Sequence, residues 1–149
     1  MKKKVMFLVL MLASLLMAGC SVESKVDYVN NARQLTFGTQ VCTLIVASGQ
    51  ADMPAAATMV TSVHAAHKCS LMWYGYIKDA NSPPPDVVLC ATSSVIDLLA
   101  YQKQYNIDLP PPRTVRDVNE ADIEAAKIGL DYAVQRFDKV VHDVFAPRD

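Results

Sequence analysis

From Gln34 to Ile77 the chain carries only two formal charges, Asp52 and Lys68. A segment so poor in charge does not stand in water as an isolated hairpin. Either other elements cover most of it, or it is itself a surface for a partner. Ala55, Ala56, Ala57, Ala65 and Ala66 would let helices approach closely. Gln40, Ser48, His64 and His67 interrupt both halves and oppose a membrane hairpin.

Helical periodicity organises this segment and the C-terminal half of the chain. A first helix is predicted over about residues 22–48, with Val26, Val29, Phe37, Val41 and Leu44 roughly on one face. Thr36, Thr39, Val41, Thr43, Ile45 and Val46 are β-branched and Gly38 interrupts the pattern, so a strand across residues 35–46 is the alternative. Gly49 stops this element, and Asp52 with Pro54 starts a second helix over about 54–74. Pro83, Pro84 and Pro85 break the chain before a third helix over about 85–106, with Val88, Ala91, Val95, Leu98, Leu99 and Tyr105 inward. Pro110, Pro111 and Pro112 break it again and open a stiff linker to about Val118. In the last helix Asn119 caps, and Glu120, Asp122 and Glu124 complement the positive helix start. Ile123, Leu130, Ala133, Val134, Phe137, Val140, Val141 and Val144 keep the apolar period there. Glu124, Lys127, Asp131, Gln135, Asp138 and His142 take the other side. The expected fold is all-α: a four-helix bundle running up-down-up-down.

The chain opens differently. Lys2, Lys3 and Lys4 precede an apolar run from Val5 to Ala13, continued by Leu15 and Leu16. That run is shorter than the roughly 20 residues a membrane span needs, and a charged start with a short apolar middle marks an export signal. It ends in Leu16-Met17-Ala18-Gly19-Cys20, which resembles the lipobox of bacterial lipoproteins, with Met17 in place of the usual Leu. The resemblance covers residues 1–21. It implies that residues 1–19 are cleaved and that Cys20 takes a diacylglycerol thioether. It says nothing of the fold; it is length and helical periodicity that make residues 20–149 a single tethered helical domain. Several acyl chains anchor durably, since each buried CH2 contributes about 0.8 kcal/mol. By the Gram-negative sorting rule of that class, Ser21 points to the outer membrane.

Charge agrees with such a setting. The 14 Lys and Arg against 15 Asp and Glu leave a formal net charge of -1, and losing three lysines with the signal takes it to -4. A mildly acidic domain is no nucleic-acid binder. Removing 19 of 149 residues leaves 130, enough for one core.

With Cys20 lipidated, Cys42, Cys69 and Cys90 remain, in a compartment where disulfides persist. If the second and third helices are antiparallel, Cys69 and Cys90 lie at similar distances from the turn, and a rise of about 1.5 Å per residue brings them level. The expected bridge is Cys69–Cys90, with Cys42 a small buried residue of the core.

Chemistry is sparse. His64 and His67, three apart on one helix face, are weak metal candidates, and the expected disulfide consumes Cys69. His142 follows Asp138 by four residues, a spacing more common for a surface pair than for a triad. Elbow, zincin and phosphate-loop patterns are missing from the sequence. Trp73, Tyr74 and Tyr76 form the densest aromatic patch, expected at the lipid-bearing end beside Tyr28 and Phe145, where they are membrane-contact candidates.

The expected function is therefore a non-enzymatic envelope lipoprotein without a cofactor. It would be held to the bilayer by its acyl anchor and act as scaffold, accessory subunit or binding module for another envelope protein. The alternative is an immunity or exclusion lipoprotein that blocks an incoming toxin, phage or plasmid component. A periplasmic metal carrier ranks below both. The weakly charged middle also offers a surface for self-association.

Overall fold

The computed structural model describes the backbone of residues 2–148 and the side chains of residues 24–148. Cys20 and the expected signal segment therefore lie outside the residues whose side chains are described. Four helices follow one another: α1 (Lys2–Ala47), α2 (Met53–Lys78), α3 (Pro85–Gln104) and α4 (Glu120–Phe145). All of residues 35–46 are helical, so the strand alternative is excluded. The threonines that favoured a strand are accommodated by bonding along the helix. Thr36, Thr39 and Thr43 donate to the carbonyls of Ala32, Leu35 and Thr39 at 2.8, 2.8 and 3.0 Å. Their hydroxyls can thus be buried without losing a partner.

The helix ends follow local chemistry. Asp52 accepts from the Ala55 amide at 2.9 Å, capping α2. Asn119 and Asp122 form a reciprocal capping box at the start of α4. At the other ends α1, α2 and α3 close with the same paired bonds, Gln50 N–H to Ile45 O, Asn81 N–H to Tyr76 O and Ile107 N–H to Gln102 O. Each leaves one residue at positive φ: Gly49 at 76°, Ala80 at 54° and Asn106 at 52°.

α1 lies at the centre. Leu35, Thr39, Val41, Cys42, Ile45 and Val46 are all at most 1 % exposed, which only neighbours on several sides can achieve. α4 and α3 flank α1, while α2 packs across from it; among the described residues α3 and α4 do not touch. The charge-poor segment is thus covered along α1 and partly covered along α2. α1 and α3 approach closely at Gly38, where an added Cβ would stand 2.6 Å from Leu98 Cβ.

The fold class is the expected helical bundle, but the last helix runs the other way. Lys25, near the start of the part of α1 whose side chains are described, reaches Glu120 at the start of α4, 3.4 Å away. Lys78 at the end of α2 meets Glu124, and His64 farther up α2 meets Asp138. α4 is therefore parallel to α1 and antiparallel to α2, and the order is up-down-up-up. The reason lies in the linker. Residues 105–119 number 15, and an extended proline-rich chain at about 3.1 Å per residue spans about 45 Å. That exceeds the roughly 30 Å of the 20-residue α3, so the linker returns the whole length of the bundle before α4 begins. Gln102 anchors its upper turn, donating to the carbonyls of Ile107 and Leu109 at 3.1 Å.

Two apolar clusters fill the interior. Toward the upper end lie Val41, Ile45, Met59, Leu98, Val134 and Phe137. Toward the lower end, near the start of α4 and the end of α2, lie Tyr28, Val29, Trp73, Val87, Ala91 and Ile123.

Candidate functional site

Cys69 and Cys90 join α2 to α3 across the interface, with Cα atoms 5.8 Å apart, as the antiparallel pairing predicts. Cys42 is unbridged and fully buried in the upper cluster, and desolvation pushes its thiol up to about 12.

The lower aromatic group is placed partly as expected. Tyr28 sits against Trp73, ring centroids 6.0 Å apart in an edge-on arrangement. Trp73 is only 2 % exposed, and its indole N–H donates to Ser24 Oγ at 3.3 Å. It is a core residue, not a surface one, because the α2 face that carries it also carries Cys69, Ser70 and Ile77. Tyr74 and Tyr76 are half-buried. Phe145 packs with the upper cluster instead, a consequence of the reversed α4.

The two histidines do not converge. His64 Nε2 bonds Asp138 Oδ1 at 2.7 Å, and His67 Nε2 bonds Asp131 Oδ1 at 2.6 Å. Each ring thus takes a separate carboxylate on α4, and the Asp138 partner expected in His142 is His64. Among the described residues no three His, Cys, Asp or Glu side chains are placed to hold a metal ion.

These pairs belong to a polar seam that periodicity did not reveal. Tyr74 donates to Glu124 at 2.6 Å, and Lys78 donates to the same oxygen at 3.0 Å. Lys127 reaches the second oxygen of Asp131 at 2.6 Å and stands 5.8 Å from the Tyr74 ring centroid. Burial works to raise the Asp131 carboxyl, but hydrogen bonds from Lys127 and His67 outweigh it and hold the group below its ordinary range. Hydrogen bonds from Tyr74 and Lys78 do the same for Glu124. Carboxylates on the side of α4 away from its apolar stripe thus bind α4 to α2. The signal was present in His64, His67, Tyr74 and Lys78, polar groups spaced along one side of α2.

On the opposite side of α4 the surface is open. α4 and the returning linker form the walls of a groove whose floor is α1. Its lower cleft, about 290 Å³, holds Val29, Arg33, Val115, Asp117 and Asp122. A middle cleft of about 250 Å³ continues past Arg33, Phe37 and Gln40, between Gly129 and the rings of Pro110 and Pro112. An upper cleft of about 240 Å³ runs from Gln40 to Leu44, below Leu109, Tyr132 and Arg136. Gly129 opens the α4 wall, since an added Cβ there would meet nothing within 4 Å. Tyr132 and Ile128 stand exposed along the α4 side, at 65 % and 59 %. Among the described residues, every ion-paired cation is a lysine or a histidine, and the groove arginines have no carboxylate partner.

Comparison with protein-family models, with curated proteins and with solved structures finds no match. Among the described residues no helix is long and apolar enough to cross a membrane.

Proposed function

We propose that this protein is a lipid-tethered, non-enzymatic binding module of the bacterial envelope, attached through Cys20. The observation that carries the reading is Leu16-Met17-Ala18-Gly19-Cys20 after a lysine-rich start and a short apolar run. The placement is the periplasmic face of the outer membrane, for which Ser21 is the sequence support. A rigid helical bundle with an open groove suits a tethered protein whose task is to hold another. Acyl chains on Cys20 would attach just before the part of α1 whose side chains are described, so the lower end, with half-buried Tyr74 and Tyr76, would lie nearest the bilayer.

The tether is tested by radiolabelled palmitate. Incorporation that disappears in Cys20→Ala, together with precursor accumulation under globomycin, supports it; no incorporation removes anchor and address together. Binding is tested by pulldown of the tagged chain from detergent-solubilised envelopes. Recovery of a resident envelope protein supports a scaffold or accessory role. Recovery of a toxin, phage or plasmid component redirects the reading to immunity or exclusion.

A further inference from the structure

The groove between α4 and the linker has a charge pattern that selects an occupant. We propose that it docks an extended, acidic peptide segment of a protein partner, held by Arg33 and Arg136. This deepens the binding-module reading and rests on it only in taking the partner to be a protein.

Two arginines line the groove, and neither is neutralised by an ion pair among the described residues. Arg33 is half-buried at the junction of the lower and middle clefts, and Arg136 lines the upper one. Arg113 and Arg116 are exposed on the linker, flanking Val115 of the groove wall. Two of the five arginines in the chain thus line this one feature, and among the described residues none of the arginines is in an ion pair. A guanidinium presents a planar fork that binds a carboxylate through two parallel hydrogen bonds, and arginine is enriched where interfaces hold tightly. Asp117 and Asp122 line the lower cleft beside Arg33. They repel a carboxylate there and confine the acidic groups to the middle and upper clefts.

Geometry sets the spacing. Arg33 lies level with Ala125 and Ala126 of α4, and Arg136 is ten to eleven residues farther along that helix. At about 1.5 Å per residue the two arginines are about 15 Å apart along the groove. An extended chain rises about 3.3 Å per residue, and side chains return to one face every second residue. Two acidic residues four apart therefore reach both arginines from the same face. Phe37, Leu44, Leu109 and Tyr132 give apolar surface between and beyond them. A helical peptide four residues apart would span only about 6 Å, so spacing distinguishes an extended occupant from a helical one.

The test is an array of fluorescein-labelled ten-residue peptides with two glutamates two to seven residues apart in a Val/Leu/Pro/Thr background. Each is titrated by fluorescence anisotropy against the full chain in detergent micelles. Affinity is expected to peak at a separation of four and to fall about tenfold for each arginine removed in R33Q and R136Q. R33K and R136K keep the charge but lose the fork, so they bind between wild type and the glutamine variants. K68Q and K103Q, exposed lysines away from the groove, leave binding unchanged. A flat response to glutamate spacing, equal loss in K68Q and K103Q, or no binding above the Glu→Gln peptides would overturn the proposal. Acylation plays no part in this assay, so failed palmitate labelling would sink the tether and leave the groove result intact.

Discussion

The side-chain amide of Asn30 and the backbone of Val115 exchange two hydrogen bonds, Nδ2 donating to the Val115 carbonyl and Oδ1 accepting from its amide, each 2.9 Å long. Asn30 imitates a neighbouring β-strand for one residue of the linker. This fastens the returning chain to the lower half of α1, 85 residues away in sequence, and so places the start of α4 at the lower end. Only an amide side chain can donate and accept in this way. Asn30→Asp keeps the acceptor and loses the donor, leaving the Val115 carbonyl facing a carboxylate. Asn30→Ala should cost about 1–2 kcal/mol, and both variants should speed hydrogen exchange at the Val115 amide. Unchanged protection at Val115 would show that the linker is held by other means.

The contact between Gly38 and Leu98 gives a sharper mutational test. Gly38→Ala raises intrinsic helix propensity by about 1 kcal/mol. The added methyl would meet Leu98 Cβ at 2.6 Å, a distance that no rotamer change relieves. Overpacking of that kind costs roughly 1–3 kcal/mol, so the net effect is loss of stability in urea denaturation. Because the obstructing atom is Cβ, trimming to Leu98→Ala leaves it in place. The penalty of Gly38→Ala should therefore persist in the Leu98→Ala background. A variant more stable than wild type would mean that α1 and α3 separate easily.

These two contacts show what the sequence discloses and what it withholds. Helix starts at Asp52 and Asn119 were legible, because a cap is a local bond between residues three apart. Cys69–Cys90 was legible because it needs only two adjacent antiparallel helices. The direction of α4 was not, since the triple proline punctuates the chain equally well in a short turn or a long return. Asn30 carries no mark of pairing with a residue 85 positions on. The histidines point the same way. On α2 alone His64 and His67 share a face suitable for one ligand, and only α4 shows that each faces its own aspartate. Trp73 could be placed at the lower end but not divided between core and membrane contact, because an aromatic cluster at a helix end fits both; its 2 % exposure makes it core.

Ala80 is a point where the chain is less stable than it could be. It occupies the same left-handed position at the end of α2 that Gly49 fills after α1, at φ 54°. A Cβ in that conformation costs roughly 1–2 kcal/mol, whereas glycine has none. Ala80→Gly is expected to raise stability by about 0.5–1 kcal/mol, the gain being reduced by the greater freedom of glycine in the unfolded chain. Thermal denaturation reads it directly, and a fall in Tm would show that the Ala80 methyl makes a contact worth more than the strain.

Acid should loosen the seam between α2 and α4. Glu124 and Asp131 both have folded-state pKa values below their ordinary ones. Groups so shifted contribute stability above the unfolded carboxylate value, about 4, and the contribution is lost as pH falls through the lowered folded value. The urea midpoint should therefore drop between pH 5 and pH 2. Glu124→Gln or Asp131→Asn should each make that drop shallower, while lowering the midpoint at pH 7. Variants whose pH profile parallels wild type would show that the seam bonds are too exposed to matter.

Cys42 provides a test of the core that needs no mutation. Its side chain is fully buried, and desolvation raises the thiol to about 12. The reactive species is the thiolate, so at pH 8 the native protein presents neither access nor ionisation. Labelling by a thiol reagent then requires opening of the upper cluster formed with Ile45, Met59, Val63 and Phe137. The rate should follow global unfolding, rising with urea as steeply as the equilibrium transition does. Reducing Cys69–Cys90 should accelerate it, because a bridge closing about 20 residues stabilises by roughly 3 kcal/mol. Peptide mapping of the oxidised chain should place label on Cys42 and none on Cys69 or Cys90. Rapid labelling of Cys42 without denaturant, unaffected by the bridge, would mean that the upper half of the bundle opens independently of the lower. The upper cleft, floored by Thr43 and Leu44 beside Cys42, would then be a mobile surface, not the rigid wall that fixed arginine spacing requires.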